Sequence, residues 1–174
     1  MPDASIALSA YDSEWPCRFD DERRLLEPVL APWLEGGIHH VGSTAIPGVS
    51  AKPIIDMIAG VRDLEEARAA FEPLATLSYH HAPHRPEEAH WFGKPSLAAR
   101  THHLHLTVPG SSLWRERLAF RDALRADPAL ANEYQALKLR LATEHPHEII
   151  GYTHGKTAFI ARALAPAGIE LRPK

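Results

Sequence analysis

Cysteine is almost missing from this chain: Cys17 is the only one in 174 residues. A single thiol excludes an intrachain disulfide framework and any cysteine-rich zinc site. Long hydrophobic runs are missing too. No stretch approaches the roughly 20 apolar residues that span a bilayer. An excess of positive charge is also absent. Lys and Arg number 19 against 22 Asp and Glu, a formal net charge of −3. Nucleic acid and anionic membrane are therefore not expected partners. Met1-Pro2-Asp3 lacks the basic start of a secretory leader, so the expected location is the cytoplasm. What the chain does have is 45% hydrophobic residues, enough for a real core, and 12 histidines. Protonating those histidines in mild acid would turn a slightly acidic chain basic. Histidines in such number fit either a solvated polar face or metal ligation.

The pattern shows neither internal repeat nor low-complexity segment and reads as one domain over 1–174. Residues 1–20 read as an irregular lead-in broken at Trp15-Pro16. A helix is expected from about Asp20 to Leu34, with Leu25, Leu26, Val29, Leu30 and Trp33 on one face and Gly36-Gly37 as its stop. A short strand, Ile38 to Val41, runs into Gly42 and the loop Ser43 to Gly48. Pro53 to Val61 reads as a strand covered on both faces, because Ile54-Ile55-Asp56-Met57-Ile58 is apolar except at Asp56. Asp63 and Glu66 form a capping-box-like start for a helix reaching Leu77. Two short strands are expected near Tyr79 and Trp91-Phe92, and a longer one from Thr101 to Val108. Residues 111–164 read as helical: Ser111 or Ser112 caps a helix to Arg125, Asp127-Pro128 opens the next, and a last helix runs from Lys156 to Leu164. The expected class is α+β or α/β, a small mixed sheet with packed helices and a helical C-terminal third.

Four groups of residues could carry chemistry. Gly42-Ser43 follows a strand directly, where a glycine allows close backbone approach and N–H groups with a hydroxyl can hold phosphate oxygens; the same pair also fits an ordinary turn. Asp56 lies inside an apolar strand, and a buried carboxylate needs a partner, a proton or a metal. Lys52 is a candidate partner. His103 and His105 are two apart on a strand and so share a face, which suits metal coordination as well as a solvated face. Arg121, Lys138 and Lys156 border apolar helical stripes, where they fit either snorkelling surface residues or the lining of an anion pocket.

The run His40-Val41-Gly42-Ser43-Thr44-Ala45-Ile46-Pro47-Gly48-Val49-Ser50-Ala51-Lys52-Pro53-Ile54-Ile55-Asp56-Met57 strongly resembles the signature of GrpB family proteins. Asp12 to Phe19, His103-Leu104-His105, Phe120-Arg121-Asp122, Tyr134, Lys138, Tyr152 and Lys156 resemble the same family, so the likeness covers nearly the whole chain. It implies the fold of DNA polymerase β-like nucleotidyltransferases, in which a Gly-Ser loop binds nucleotide phosphates and three carboxylates on two strands hold two divalent metals. By that resemblance Gly42, Ser43 and Thr44 form the phosphate loop and Asp56 is the first, catalytic carboxylate. Lys52, Arg121, Lys138 and Lys156 complete the phosphate-binding set. The pattern departs from the superfamily at the second carboxylate, which is Ile58, and on the later strand, which offers His103 and His105. The implied cofactor is a divalent metal, magnesium or manganese. A set of Asp56, His103 and His105 would also suit zinc. The implied activity is nucleotidyl transfer to or from a nucleotide or phosphorylated small molecule. Alternatives are a binding protein without catalysis and a transition-metal site.

Overall fold

The apolar run around Asp56 forms the second strand of a five-stranded sheet, covered on both faces as expected. In the computed structural model residues 6–172 are described. Residues 1–5 of the expected lead-in, with the Met1-Pro2-Asp3 start, lie outside the described residues. The strands are β1 (Leu34–Val41), β2 (Ile55–Val61), β3 (His80–Ala82), β4 (His90–Pro95) and β5 (Arg100–Thr107). They lie in the order β1-β2-β5-β4-β3. β2 and β5 are parallel, while every other neighbouring pair is antiparallel. A parallel pair needs a crossover, and here the chain between β2 and β5 supplies a 3-10 turn (Glu66–Ala70), helix α2 (Phe71–Thr76), β3 and β4.

Alternation along the strands decides what each face carries. Ile55, Met57 and Ala59 of β2 share a buried core with Leu104 and Leu106 of β5 and Phe92 of β4. Helix α1 (Trp15–Leu30) covers that face with Trp15, Leu26 and Leu30, and α2 adds Leu74. Asp56, Ile58, His103 and His105 belong to the other parity and point to the opposite face. There helix α3 (Ser112–Ala126) packs Leu113 against Val41, Ile58 and Ala89. Helices α4 (Pro128–Glu144), α5 (Ile149–His154) and α6 (Thr157–Leu164) complete the helical C-terminal part. A separate apolar cluster joins Ile46 and Val49, in the loop after β1, to Leu124, Tyr134 and Phe159 of the helices. That cluster anchors the Gly42-Ser43 bend between sheet and helices.

Several boundaries move from their expected places. Trp15-Pro16 opens α1 rather than breaking a lead-in, since a proline in the first helical turn forfeits no internal hydrogen bond. The helix ends at Leu30 instead of Leu34: Ala31 caps it, still in the helical region, and Pro32 follows without an N–H to continue the ladder. Its buried stripe is set by Trp15, Glu22, Leu26 and Leu30, while Leu25 is 50% exposed. Gly36 and Gly37 are not a helix stop. They sit inside β1 with φ of 80° and 82°, where the register to β2 shifts between Leu34 and Ile38. Asp63 does accept the Glu66 backbone N–H at 2.9 Å, yet the following turns are 3-10, and the α-helix proper covers six residues around Pro73. Ser111 and Asp127 cap α3 and α4 as expected, Asp127 accepting from Ala129 and Leu130 at 2.9 and 3.1 Å. The helical reading of 111–164 takes in α5, which is too short to show a stripe of its own.

Candidate functional site

Gly42 leaves β1 with φ 73° and ψ −173°, a backbone region open essentially to glycine alone. The bend it makes is held from both sides. Thr44 donates its hydroxyl to the Ile54 carbonyl at 3.2 Å, so the Nε2–H of His40 donates to the Thr44 oxygen at 2.9 Å. His40 is buried and stacks on Phe19 with ring centroids 4.9 Å apart. Burial first, then the nearby Arg125 and Arg121 charges, pull its pKa down to about 4 against the pull of Asp56, so it is neutral near pH 7. From α3, Arg121 donates to the His40 carbonyl at 3.1 Å and Arg125 to the Ala45 carbonyl at 2.8 Å. These two guanidiniums fasten the backbone on either side of Gly42-Ser43.

Two cavities open beneath the bend. The larger holds about 510 Å³ and is lined by Gly42, Ser43, Asp56, His105, Arg117 and Lys156, with Leu113, Phe120 and Ile160 as apolar wall. The smaller holds about 200 Å³ and is lined by Ser43, Thr44, Lys52, Asp56, His103, Lys138, Tyr152 and Lys156 among others. Ser43, Asp56, Thr153 and Lys156 line both. The bend, the strand aspartate and the two strand histidines therefore do converge on one region. Arg121 is the exception among the anticipated residues: it lines neither cavity and holds the loop backbone instead.

Asp56 keeps 29% of its side-chain surface open. Its partner is His103, which lies directly across from it in the β2–β5 register, and not Lys52. The Nδ1···Oδ1 distance is 2.8 Å. A carboxylate can only accept, so Nδ1 of His103 carries the proton. Burial pushes the Asp56 pKa up, but the hydrogen bond and charge of His103, with Arg117 behind it, win and hold it below the ordinary aspartate value. Trp91 packs edge-on against the His103 ring at 5.3 Å and fixes its plane. Nε2 of His103 is buried and has no hydrogen-bond partner. His105 lies two pairs further along, opposite Ile58. Burial, then the Arg117 charge, push its pKa to about 3, so it too is neutral near pH 7.

The anticipated ligand set of Asp56, His103 and His105 does not fit a metal centre as arranged. Nδ1 of His103 is engaged by Asp56, and among the described residues no group of three or more His, Cys, Asp and Glu side chains is placed to hold a metal ion. The anticipated second carboxylate, Ile58, is wholly buried against Val41, Ala89 and Leu113.

Lys138 is the most confined cation of the site, 2% exposed. Its ammonium donates to the Ser50 carbonyl and lies 5.3 Å from the Tyr134 ring centre. Burial, then the Lys156 charge, depress its pKa to about 7, with Asp56 pulling the other way. The unfolded chain keeps this proton up to the ordinary lysine value, so unfolding takes up a proton between the two values and stability rises with pH across that window. Between pH 7 and 9.5 the gain is on the order of 3 kcal/mol. Urea titrations at both pH values should show it in the native chain and lose it in Lys138→Met. Equal pH dependence in the two proteins would refute the assignment.

Sequence reasoning missed Arg117, Arg85 and Arg172, all on the wall of the larger cavity. Arg117 had a usable signal. Leu113, Phe120 and Leu124 step by seven and four along α3, and that stripe passes between Glu116 and Arg117, not through Arg121. Arg172 comes from the end of the chain: its backbone N–H and its Nε donate to Glu116 at 2.8 and 2.9 Å, and its guanidinium also pairs with Glu88. Burial raises the Glu116 pKa, opposed by the Arg172 backbone hydrogen bond.

A mixed sheet with helices on one face, and on the other a cleft closed by a helical C-terminal part, defines an α/β protein whose polar centre lies between its two layers. The chain belongs to the GrpB family: the family model described as GrpB protein matches residues 5–165. It is 33% identical over 168 residues to the glutamate-rich protein GrpB of Alkalihalophilus pseudofirmus, covering 91% of this chain and 94% of that protein. It is 36% identical over 162 residues to the UPF0157 protein YqkA of Bacillus subtilis, covering 93% of this chain and 47% of YqkA, so it spans about half of that relative. The crystal structure of the conserved protein GrpB from Enterococcus faecalis is similar with a TM-score of 0.83 at 30% identity, over 92% of this chain and 96% of that one. Similarity to Cid1, which has RNA terminal uridylyl transferase activity, is weak: TM-score 0.45 at 13% identity, over 68% of this chain and 36% of that one. No helix among the described residues is long and apolar enough to cross a membrane.

Proposed function

We propose that the larger cavity binds a nucleotide or a closely related phosphorylated small molecule, and that the protein is nucleotidyltransferase-like. The observation that carries the reading is the opening of the Gly42-Ser43 bend onto the same 510 Å³ cavity as Arg117 and Lys156. That volume lies within the ~300–1,000 Å³ of cavities that enclose small ligands. Ser43 and the two cations form the phosphate end, and Leu113, Phe120 and Ile160 offer an apolar wall to a flat ring. Asp56, paired with His103, stands at the phosphate end as the one carboxylate shared by both cavities.

Calorimetric titration with ATP, GTP, CTP and UTP, each with and without magnesium or manganese, tests the reading. Saturable heat is expected for at least one nucleotide, with Arg117→Ala weakening it about tenfold, the loss of ~1.4 kcal/mol from one charged contact. Folded protein that gives no heat with any of them would end this reading. A binding role without transfer is the second reading, favoured by the closed packing around Ile58. It predicts that Asp56→Asn binds as tightly as the native chain and that no pyrophosphate is released. The transfer reading predicts pyrophosphate release that Asp56→Asn abolishes.

A further inference from the structure

The smaller cavity differs from the larger in size and charge. At about 200 Å³ it falls below the range that encloses a whole nucleotide. Its ionised lining is three lysines, Lys52, Lys138 and Lys156, against the single carboxylate of Asp56. One aromatic ring gathers two of the lysines: the ammonium groups of Lys156 and Lys52 lie 4.2 and 5.9 Å from the Tyr152 ring centre. Lys138 is nine-tenths buried or more, and no carboxylate lies within ion-pair distance of it among the described residues. A buried ammonium without a counter-charge is costly, and water-poor surroundings strengthen its pull on any anion that enters. A second, independent sign of a polar ligand is on the same wall. His103 lines this cavity, and its Nε2 is buried and without a partner while Nδ1 donates to Asp56. With Nδ1 engaged by Asp56, Nε2 is the ring atom left to hydrogen-bond a hydroxyl.

We propose that the smaller cavity is a separate oxyanion site, built for a small phosphate- or carboxylate-bearing molecule that also carries a hydroxyl. Lys138 and Lys52 supply the counter-charge, and Nε2 of His103 hydrogen-bonds the hydroxyl. Asp56, on the wall of both cavities, then stands between this ligand and whatever occupies the larger one. That the neighbour is a nucleotide rests on the preceding reading; the oxyanion site does not.

Titration of the full chain with inorganic phosphate, and separately with glycolate, tests the site, each with and without saturating ATP. One equivalent of at least one probe is expected to bind, and a preference between the two tells phosphate from carboxylate. Lys138→Met and Lys52→Met should each weaken binding tenfold or more. Lys52 is only partly buried, so its variant leaves the core intact. The affinity with ATP present should stay within twofold of that without it. Three results would overturn the proposal: no saturable binding of either probe, binding as tight as the native chain's by both lysine variants, or displacement of phosphate by ATP. The last would make the cavity a recess for the nucleotide's own phosphates. Lysine-dependent phosphate binding in a chain that ignores every nucleotide supports the oxyanion site and removes the nucleotide reading alone.

Discussion

Ile58→Asp is expected to destabilise the protein by about 4 kcal/mol or more, and to create no metal site. The substitution restores the carboxylate that a two-metal transferase would carry two residues after Asp56. Its environment forbids that role here. Ile58 is 0% exposed and packs on Val41, Ala89 and Leu113. An aspartate there gives up the burial of a large aliphatic side chain and brings a charge into apolar surroundings. Its neighbour across the strands, His105, is held neutral near pH 7 by burial and by the Arg117 charge, so it provides no counter-charge. For a domain of this size each kcal/mol moves the melting temperature by roughly 2–4 °C, so a fall of about 8 °C or more is expected. Ile58→Val, which removes one methylene, should cost only about 1 kcal/mol. Thermal melts of both variants, with manganese added to the aspartate form, make the check. An Ile58→Asp protein that melts like the native chain and binds manganese would show that this position opens onto the site.

The contrast between Asp56 and Ile58 also shows what the sequence makes legible. Period-two alternation placed His103 and His105 on one face without any coordinates, and the β2–β5 register brings Asp56 opposite His103 on that face. The hydrophobic run around Asp56, the Ser111 and Asp127 caps and the GrpB likeness gave the sheet, the helical C-terminal part and the family. The pairing of His103 with Asp56 was out of reach, because it depends on a parallel register between strands 47 positions apart. Arg121 was misplaced for a different reason: a helical stripe misread by one residue turns a side chain by about 100° and sends it from cavity wall to loop backbone. Arg172 could not be placed at all by periodicity, because it follows the last helix and reaches Glu116 through tertiary contact alone. The boundaries at Pro16 and Gly36-Gly37 failed for a local reason: both residue types punctuate helices and also serve inside a helix start or a strand bulge.

Gly42→Ala is the second large effect expected, and it acts on the site as well as the fold. At φ 73° and ψ −173° any Cβ is strained, at a cost of about 1–3 kcal/mol. The added methyl would also stand 2.6 Å from Oδ2 of Asp56, closer than real contacts allow, and a tight 3.1 Å from its Cβ. Asp56 must then move, and the 2.8 Å hydrogen bond to His103 is the contact that holds it where it is. Losing that charge-assisted bond adds about 1–2 kcal/mol, for a total near 3 kcal/mol and a melting temperature lower by roughly 6–12 °C. Gly48→Ala is the matched control. Gly48 also has a positive φ, 79°, but a Cβ there meets nothing within 4 Å. It should show backbone strain alone, about 1–2 kcal/mol, and bind nucleotide and phosphate as the native chain does. Gly42→Ala should lose tenfold or more in affinity for both probes, because Asp56 and Ser43 line both cavities and the bend sets their positions. If Gly42→Ala falls no further in stability than Gly48→Ala and binds normally, the close approach of loop to aspartate is incidental, and the cleft does not depend on the bend.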